Sequence, residues 1–171
     1  SGNAITGNYN VAMGALAMYN AEGVVNTNTA IGYRAGFGMT TASGSVLIGH
    51  QAGDNITTAS GSVFIGVDAG GNVNTGNMNI AIGYNAFHNA ATGDNNIAIG
   101  VNAGDAVTSG TLNIFMGKNA GGAITDANGI IAIGHNAVTG DADYDTVAIG
   151  NHALQNAAAG ANSNTAVGHQ V

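Results

Sequence analysis

The chain has 171 residues with 29 glycines, no proline, no cysteine and no tryptophan, and its net charge of −7 rests on 2 basic and 9 acidic side chains. With Arg34 and Lys118 as its only Lys/Arg residues it cannot neutralise a run of phosphates, which argues against nucleic acid. The missing cysteines exclude a disulfide scaffold and thiolate metal sites, and no apolar run approaches the roughly 18 residues of a membrane span.

Ten short apolar segments follow in chain order, each ending on a glycine. They read VAMG at 11–14, TAIG at 29–32, VLIG at 46–49, VFIG at 63–66, IAIG at 80–83 and IAIG at 97–100. IFMG at 114–117, IAIG at 131–134, VAIG at 147–150 and TAVG at 165–168 complete the series. The glycines (Gly14, Gly32, Gly49, Gly66, Gly83, Gly100, Gly117, Gly134, Gly150, Gly168) are 16 to 18 residues apart, and six of the nine spacings are 17. A fixed period this short marks a solenoid, in which each repeat stacks on its neighbours. Seventeen residues cannot hold two helices and a turn. They can hold two short strands and two turns, so the expected fold is an all-β parallel β-solenoid of about ten rungs. Residues 1–171 are expected to form one repeat domain, a segment of a longer fibre.

With the anchor glycine as position 0, each column gains a physical role. Positions −1 and −3 are mostly Ile and Val, whose branched shape suits a pleated, buried surface; they are expected to be core. Alanine at +3, from Ala17 to Ala153, suggests a tight corner with its methyl inward. Apolar residues return at +7 (Met39, Ile56, Val73, Val107, Ile124), where a second strand is expected. Small residues near +10 close the far end. Glycine at 0 requires a positive φ or leaves no room for a Cβ.

Positions −2 and −4 then point outward, and none of them is charged. A solvated strand face would alternate its core residues with Lys, Glu or Thr. Alanine with Asn or Ser, interrupted by Leu47, Phe64 and Phe115, reads instead as a surface covered by another chain. The expected subunit interface is Leu47, Phe64, Ala81, Ala98 and Phe115.

The phrases NIAIGYNAF and NTAIGYRAG resemble the head repeats of trimeric autotransporter adhesins, and more closely the N-T-A-I-G-Y-Q-A-G repeats of bacteriophage tail-fibre-like proteins. The resemblance covers the whole chain. It implies a left-handed parallel β-roll or β-helix with three chains side by side. It also implies an extracellular setting, on a virion tail fibre or a bacterial surface, with attachment to a cell-surface glycan or protein receptor.

Catalytic signatures are absent: there is no G-x-S-x-G, Walker loop, H-E-x-x-H or G-x-G-x-x-G, and Glu22 is the only glutamate. The chain is expected to be non-enzymatic, without cofactor or membrane insertion. Asp141, Asp143 and Asp145 have the spacing that opens a calcium loop, but the glycine and glutamate that complete one are missing, so they read as a solvated turn. His50, His135 and His169 share column +1 with His152 beside them at +2, and are expected as exposed turn residues rather than a metal site.

The expected ligand surface is the turn after each anchor, carried by Tyr33, Arg34, His50, Gln51, Tyr84, Asn85, His135 and Asn136. Amides both donate and accept, and tyrosine offers an apolar face with a polar tip, which suits sugars. Asn is also simply a good turn residue. Two other readings stand beside receptor binding. One is a purely structural spacer. The other is an ice- or crystal-binding face, from Thr41, Thr58, Thr75, Thr92 and Ser109 at +9 with Thr40, Thr57, Thr108 and Thr125 at +8.

Overall fold

The computed structural model describes residues 6–140, 144–157 and 162–171. The chain is an all-β parallel solenoid of about nine turns with a repeat of about 17 residues, and the described residues contain no helix. Ten three-residue strands form one sheet in chain order: β1 Val11–Met13, β2 Thr29–Ile31, β3 Val46–Ile48, β4 Val63–Ile65 and β5 Ile80–Ile82. They continue as β6 Ile97–Ile99, β7 Ile114–Met116, β8 Ile131–Ile133, β9 Val147–Ile149 and β10 Thr165–Val167. Every pair is parallel and every register matches column to column, so Ala81 pairs with Ala98 and Ile82 with Ile99. At about 4.8 Å per rung the sheet is roughly 45 Å tall.

The strand faces are opposite to the sequence expectation. The −2 column points into the coil: Leu47, Phe64, Ala81, Ala98 and Phe115 are all fully buried within one chain. They therefore cannot be the subunit interface. The Val and Ile of columns −3 and −1 face out and are half-buried along β2 to β6. The reason is room. The coil interior is closed by the buried alanines at +3 and the apolar column at +7. It accepts one inward side chain per strand, a methyl or a single larger group such as Leu47 or Phe64, not two branched side chains.

Column −4 is also internal. Asn28, Ser45, Ser62, Asn79, Asn96 and Asn113 are fully buried and form a polar ladder along the axis. The N–H of Asn96 donates to Asn79 Oδ1 at 2.9 Å, that of Asn113 to Asn96 Oδ1 at 3.0 Å, and that of Ile130 to Asn113 Oδ1 at 2.8 Å. Each amide also crosses its own coil: Asn79 Nδ2 donates to the Gly93 carbonyl at 2.7 Å, and Asn96 Nδ2 to that of Gly110 at 2.8 Å. Burying such groups is tolerable because they are paired, and asparagine can close the coil and bond the next rung at once.

The second strand expected at +7 is not a strand. Its residues are core, with Met39, Ile56, Val73, Val107 and Ile124 fully buried. The backbone reaches them through overlapping turns, in which Ala35 N–H bonds Gly32 O, Phe37 bonds Arg34 and Met39 bonds Gly36. The second central residue of the first two turns has positive φ, as at Arg34 (56°) and Gly36 (62°), the requirement of a type II turn. Column +2 holds this conformation in all ten rungs, from Leu16 to Gln170, which explains its many asparagines.

Large and small residues alternate across the core between −2 and +4. Where −2 is Phe64, +4 is Gly70, and a Cβ on that glycine would lie 2.5 Å from the ring. Phe115 stands against Gly121 in the same way. Where −2 is Ala81, the ring comes instead from +4, as Phe87 at φ 53°. The glycine exceptions at +4 are thus the other half of a volume exchange.

At column 0 both demands on glycine hold. Gly100 has φ +135°, and a Cβ there would sit 2.6 Å from the Gly117 carbonyl oxygen. Backbone strain in this region costs on the order of 1–3 kcal/mol by itself. Gly100→Ala should therefore lower stability by more than about 2 kcal/mol once the clash is added, read as a fall in the thermal midpoint.

Candidate binding surface

The turn residues expected to bind ligand fall on two ridges. Column +1 is exposed and flanks the outer strand face, with Tyr33, His50, Tyr84 and His135 on it. Tyr33 and His50 stack at 5.2 Å between ring centroids. Column +2 is half-buried and holds Arg34, Gln51, Asn85 and Asn136. Tyr33, Arg34, His50 and Gln51 are brought together on two adjacent rungs. Tyr84 with Asn85, and His135 with Asn136, lie farther along the axis.

Arg34 is engaged rather than waiting for a ligand. Its Nε and Nη2 bond both carboxylate oxygens of Asp54, at 3.0 and 2.9 Å, and its guanidinium lies 4.1 Å from the centroid of the Phe37 ring. Gln51 Nε2 reaches the same carboxylate at 3.5 Å. The hydrogen bonds that Arg34 donates to Asp54 hold its pKa above the ordinary value. Phe37 in turn stacks parallel to Tyr19 at 5.9 Å.

The histidines form a cluster that column position alone did not reveal. His152, at +2, sits between His135 and His169, which occupy +1 one rung away on either side. Its ring centroid is 5.1 Å from that of His135 and 6.4 Å from that of His169, both edge-on. No group of three or more His, Cys, Asp or Glu side chains suited to a metal occurs among the described residues. Asp141 and Asp143 lie outside the described residues. Asp145 is exposed and donates its N–H to the Asn128 carbonyl at 3.1 Å.

The threonine column at +8 is consumed by the fold. Thr40 and Thr108 donate their hydroxyls to the +8 carbonyls of the next rung, Thr57 bonds Asn74 O, and Thr125 bonds Asp126 Oδ1. That leaves +9 as the exposed hydroxyl column, with Thr41, Thr58, Thr75, Thr92 and Ser109 all exposed.

Sequence reasoning missed a groove between columns +2 and +5. Arg34–Asp54 spans it in rungs 2 and 3, and His152 Nδ1 lies 2.7 Å from Gln155 Oε1 across it in rung 9. Between these bridges it widens into an open cleft of about 360 Å³, lined by Asp105, Asn119, Gly122, Asn136, Thr139 and Gln155. Nothing in the sequence marks it, because its depth comes from a single absent side chain at Gly122.

Burial pushes the Asp105 carboxyl above its usual range, opposed by backbone hydrogen bonds from Asp105 and Ala106 and by His88. A carboxyl whose folded pKa is raised binds its proton more tightly when folded. It therefore costs stability above the folded pKa, and the cost vanishes as pH falls below the unfolded value. Asp105→Asn should raise the melting midpoint at neutral pH, and the gain should disappear by about pH 3.

No family model, curated protein or solved structure matches this chain. No helix among the described residues is long and apolar enough to cross a membrane.

Proposed function

We propose that this chain is a non-enzymatic, rod-shaped segment of a homotrimeric extracellular fibre that serves attachment to a cell surface. The observation that carries the reading is the outer strand face. Columns −3 and −1 supply twenty positions, of which only Thr29 and Thr165 are not apolar and none is charged. Flanking them on both sides are exposed apolar residues, Tyr84 and Val101 at +1 and Met78 and Leu112 at −5, with one charge in each column, Lys118 and Asp145.

Met78 and Leu112 are informative because both hold positive φ, 56° and 61°. The whole column takes this conformation: Gly44, Gly61 and Gly129 hold it without that strain, and Tyr9, Thr27, Asn95, Asp145 and Ser163 hold it as Met78 and Leu112 do. Placing a large side chain there, about two-thirds exposed, makes sense if a neighbouring chain covers it. From −5 to +1 the face measures roughly 20 Å by 45 Å, about the 800 Å² per partner of a stable interface.

A left-handed coil and a three-fold, side-by-side assembly follow the tail-fibre and adhesin-head repeats that the sequence resembles. Virion tail fibre or bacterial surface is the corresponding setting, with a glycan or protein as receptor. Light scattering tests the assembly: a mass three times that of the 16.6 kDa chain is expected, and a monomer at micromolar concentration would overturn the reading.

A further inference from the structure

The cleft at Gly122 departs from the regular solenoid surface. Column +5 otherwise carries side chains: Tyr19, Phe37, Asp54, His88, Asp105, Thr139 and Gln155. Its other glycine, Gly71, is covered, since a Cβ there would lie 2.8 Å from the His88 ring. At Gly122 the three atoms nearest an added Cβ are all of Asn119, the closest its carbonyl oxygen at 3.2 Å. The gap is left open.

A chain of amides leads into it along column +2. Asn102 Nδ2 donates to Asn119 Oδ1 at 3.3 Å, and Asn119 Nδ2 to Asn136 Oδ1 at 3.1 Å. One end of this chain is unsatisfied, since Asn102 Oδ1 is buried without a donor; at the other end the half-exposed Asn136 lies at the cleft. Around that head stand the Asp105 carboxylate, the Thr139 side chain and the Gln155 amide.

The lining selects a ligand class by exclusion. No lining residue is basic, which disfavours phosphate, sulfate or carboxylate ligands. No lining side chain is apolar, which disfavours lipid or aromatic groups. A single carboxylate is poor provision for a divalent cation, which takes six to eight oxygens with charge to match. What remains is a neutral ligand rich in hydroxyls: both amide atoms of Asn119, Asn136 Oδ1 and Gln155 Oε1 already bond within the fold, which leaves the Asn136 and Gln155 N–H groups to donate and the Asp105 carboxylate to accept O–H groups.

We propose that the cleft formed by Asp105, Asn119, Asn136, Thr139 and Gln155 around Gly122 binds a neutral pyranoside. Its volume suits one or two sugar units. This deepens the attachment reading, and the two fail separately: a trimer indifferent to sugars overturns the cleft alone, and a sugar-binding monomer overturns the trimer alone.

The experiment is ligand-observed NMR titration of the intact protein with methyl pyranosides of glucose, galactose, mannose and their N-acetylamino forms. At least one should saturate. Gly122→Phe recreates the Phe37 arrangement already present in column +5, and should weaken binding about tenfold or more by filling the gap. Asn136→Gly keeps the left-handed turn and removes the amide, and should weaken binding several-fold even if the phenylalanine variant does not fold. Saturation by no pyranoside overturns the proposal. So does binding that Asn136→Gly leaves intact, and so does a cleft that takes up calcium alone.

Discussion

Ala98→Lys should unfold the central rungs, whereas Ile99→Lys, one residue later, should leave them folded. The two side chains are adjacent on β6 but point to opposite sides of one wall. Ala98 is fully buried in a coil whose partners at −2 in the flanking rungs are Ala81 and Phe115. A lysine there must bury its charge without a partner or force the coil open, a cost of several kcal/mol. Since each rung leans only on its neighbours, the damage should centre on β5 to β7. Ile99 lies on the half-exposed outer face, and a lysine stem can lie along that surface with its ammonium in water. Within one chain the change should stay within roughly 0.5–1 kcal/mol. In the proposed trimer it repeats three times on the interface, so it should release monomers. Circular dichroism melting separates the first effect and sedimentation the second. An Ile99→Lys protein that keeps the parent mass would remove the outer face as the contact, and a stable Ala98→Lys protein would contradict the burial of column −2.

Exchanging the ring between the two sides of one rung is the second large effect. Phe115→Ala alone should cost about 3–5 kcal/mol, the usual range for emptying a buried aromatic site. Gly121→Phe alone should also be severe, because a side chain there runs into the Phe115 ring, and overpacking adds to the strain of a positive φ. The double variant rebuilds in rung 7 the pairing that rung 5 already uses, Ala81 with Phe87. It should lie within about 2 kcal/mol of the parent, so the two changes should couple by several kcal/mol. Gly104 sharpens the test, since a Cβ there would stand 2.6 Å from the Phe115 ring and 3.4 Å from Phe87. The space beside Ala98 is thus filled by rings from the rungs before and after it. Additive free energies from chemical denaturation would show that the two positions do not share one volume.

These expectations divide along what a repeat can and cannot say. Periodicity alone determined the solenoid, its register and the glycine column, because a spacing of 17 residues brings like residues together whatever their orientation. The alternation along each strand determined which residues share a face. It could not determine which face is inside, since Ala at −2 and Ile at −1 are both apolar. Hydrophobicity favoured the wrong side. Only the tertiary structure decided it, by volume: the turns from Gly100 to Val107 close so tightly on β6 that the interior fits a methyl or a single shared ring, and the bulky Ile97 and Ile99 are left outside. The buried role of Asn96 was hidden for the same reason, because its partners Asn79, Asn113 and Gly110 lie 14 to 17 residues away and meet it only when the coil closes. The cleft at Gly122 depends on the same closure: a glycine is space only when the coils above and below define what surrounds it.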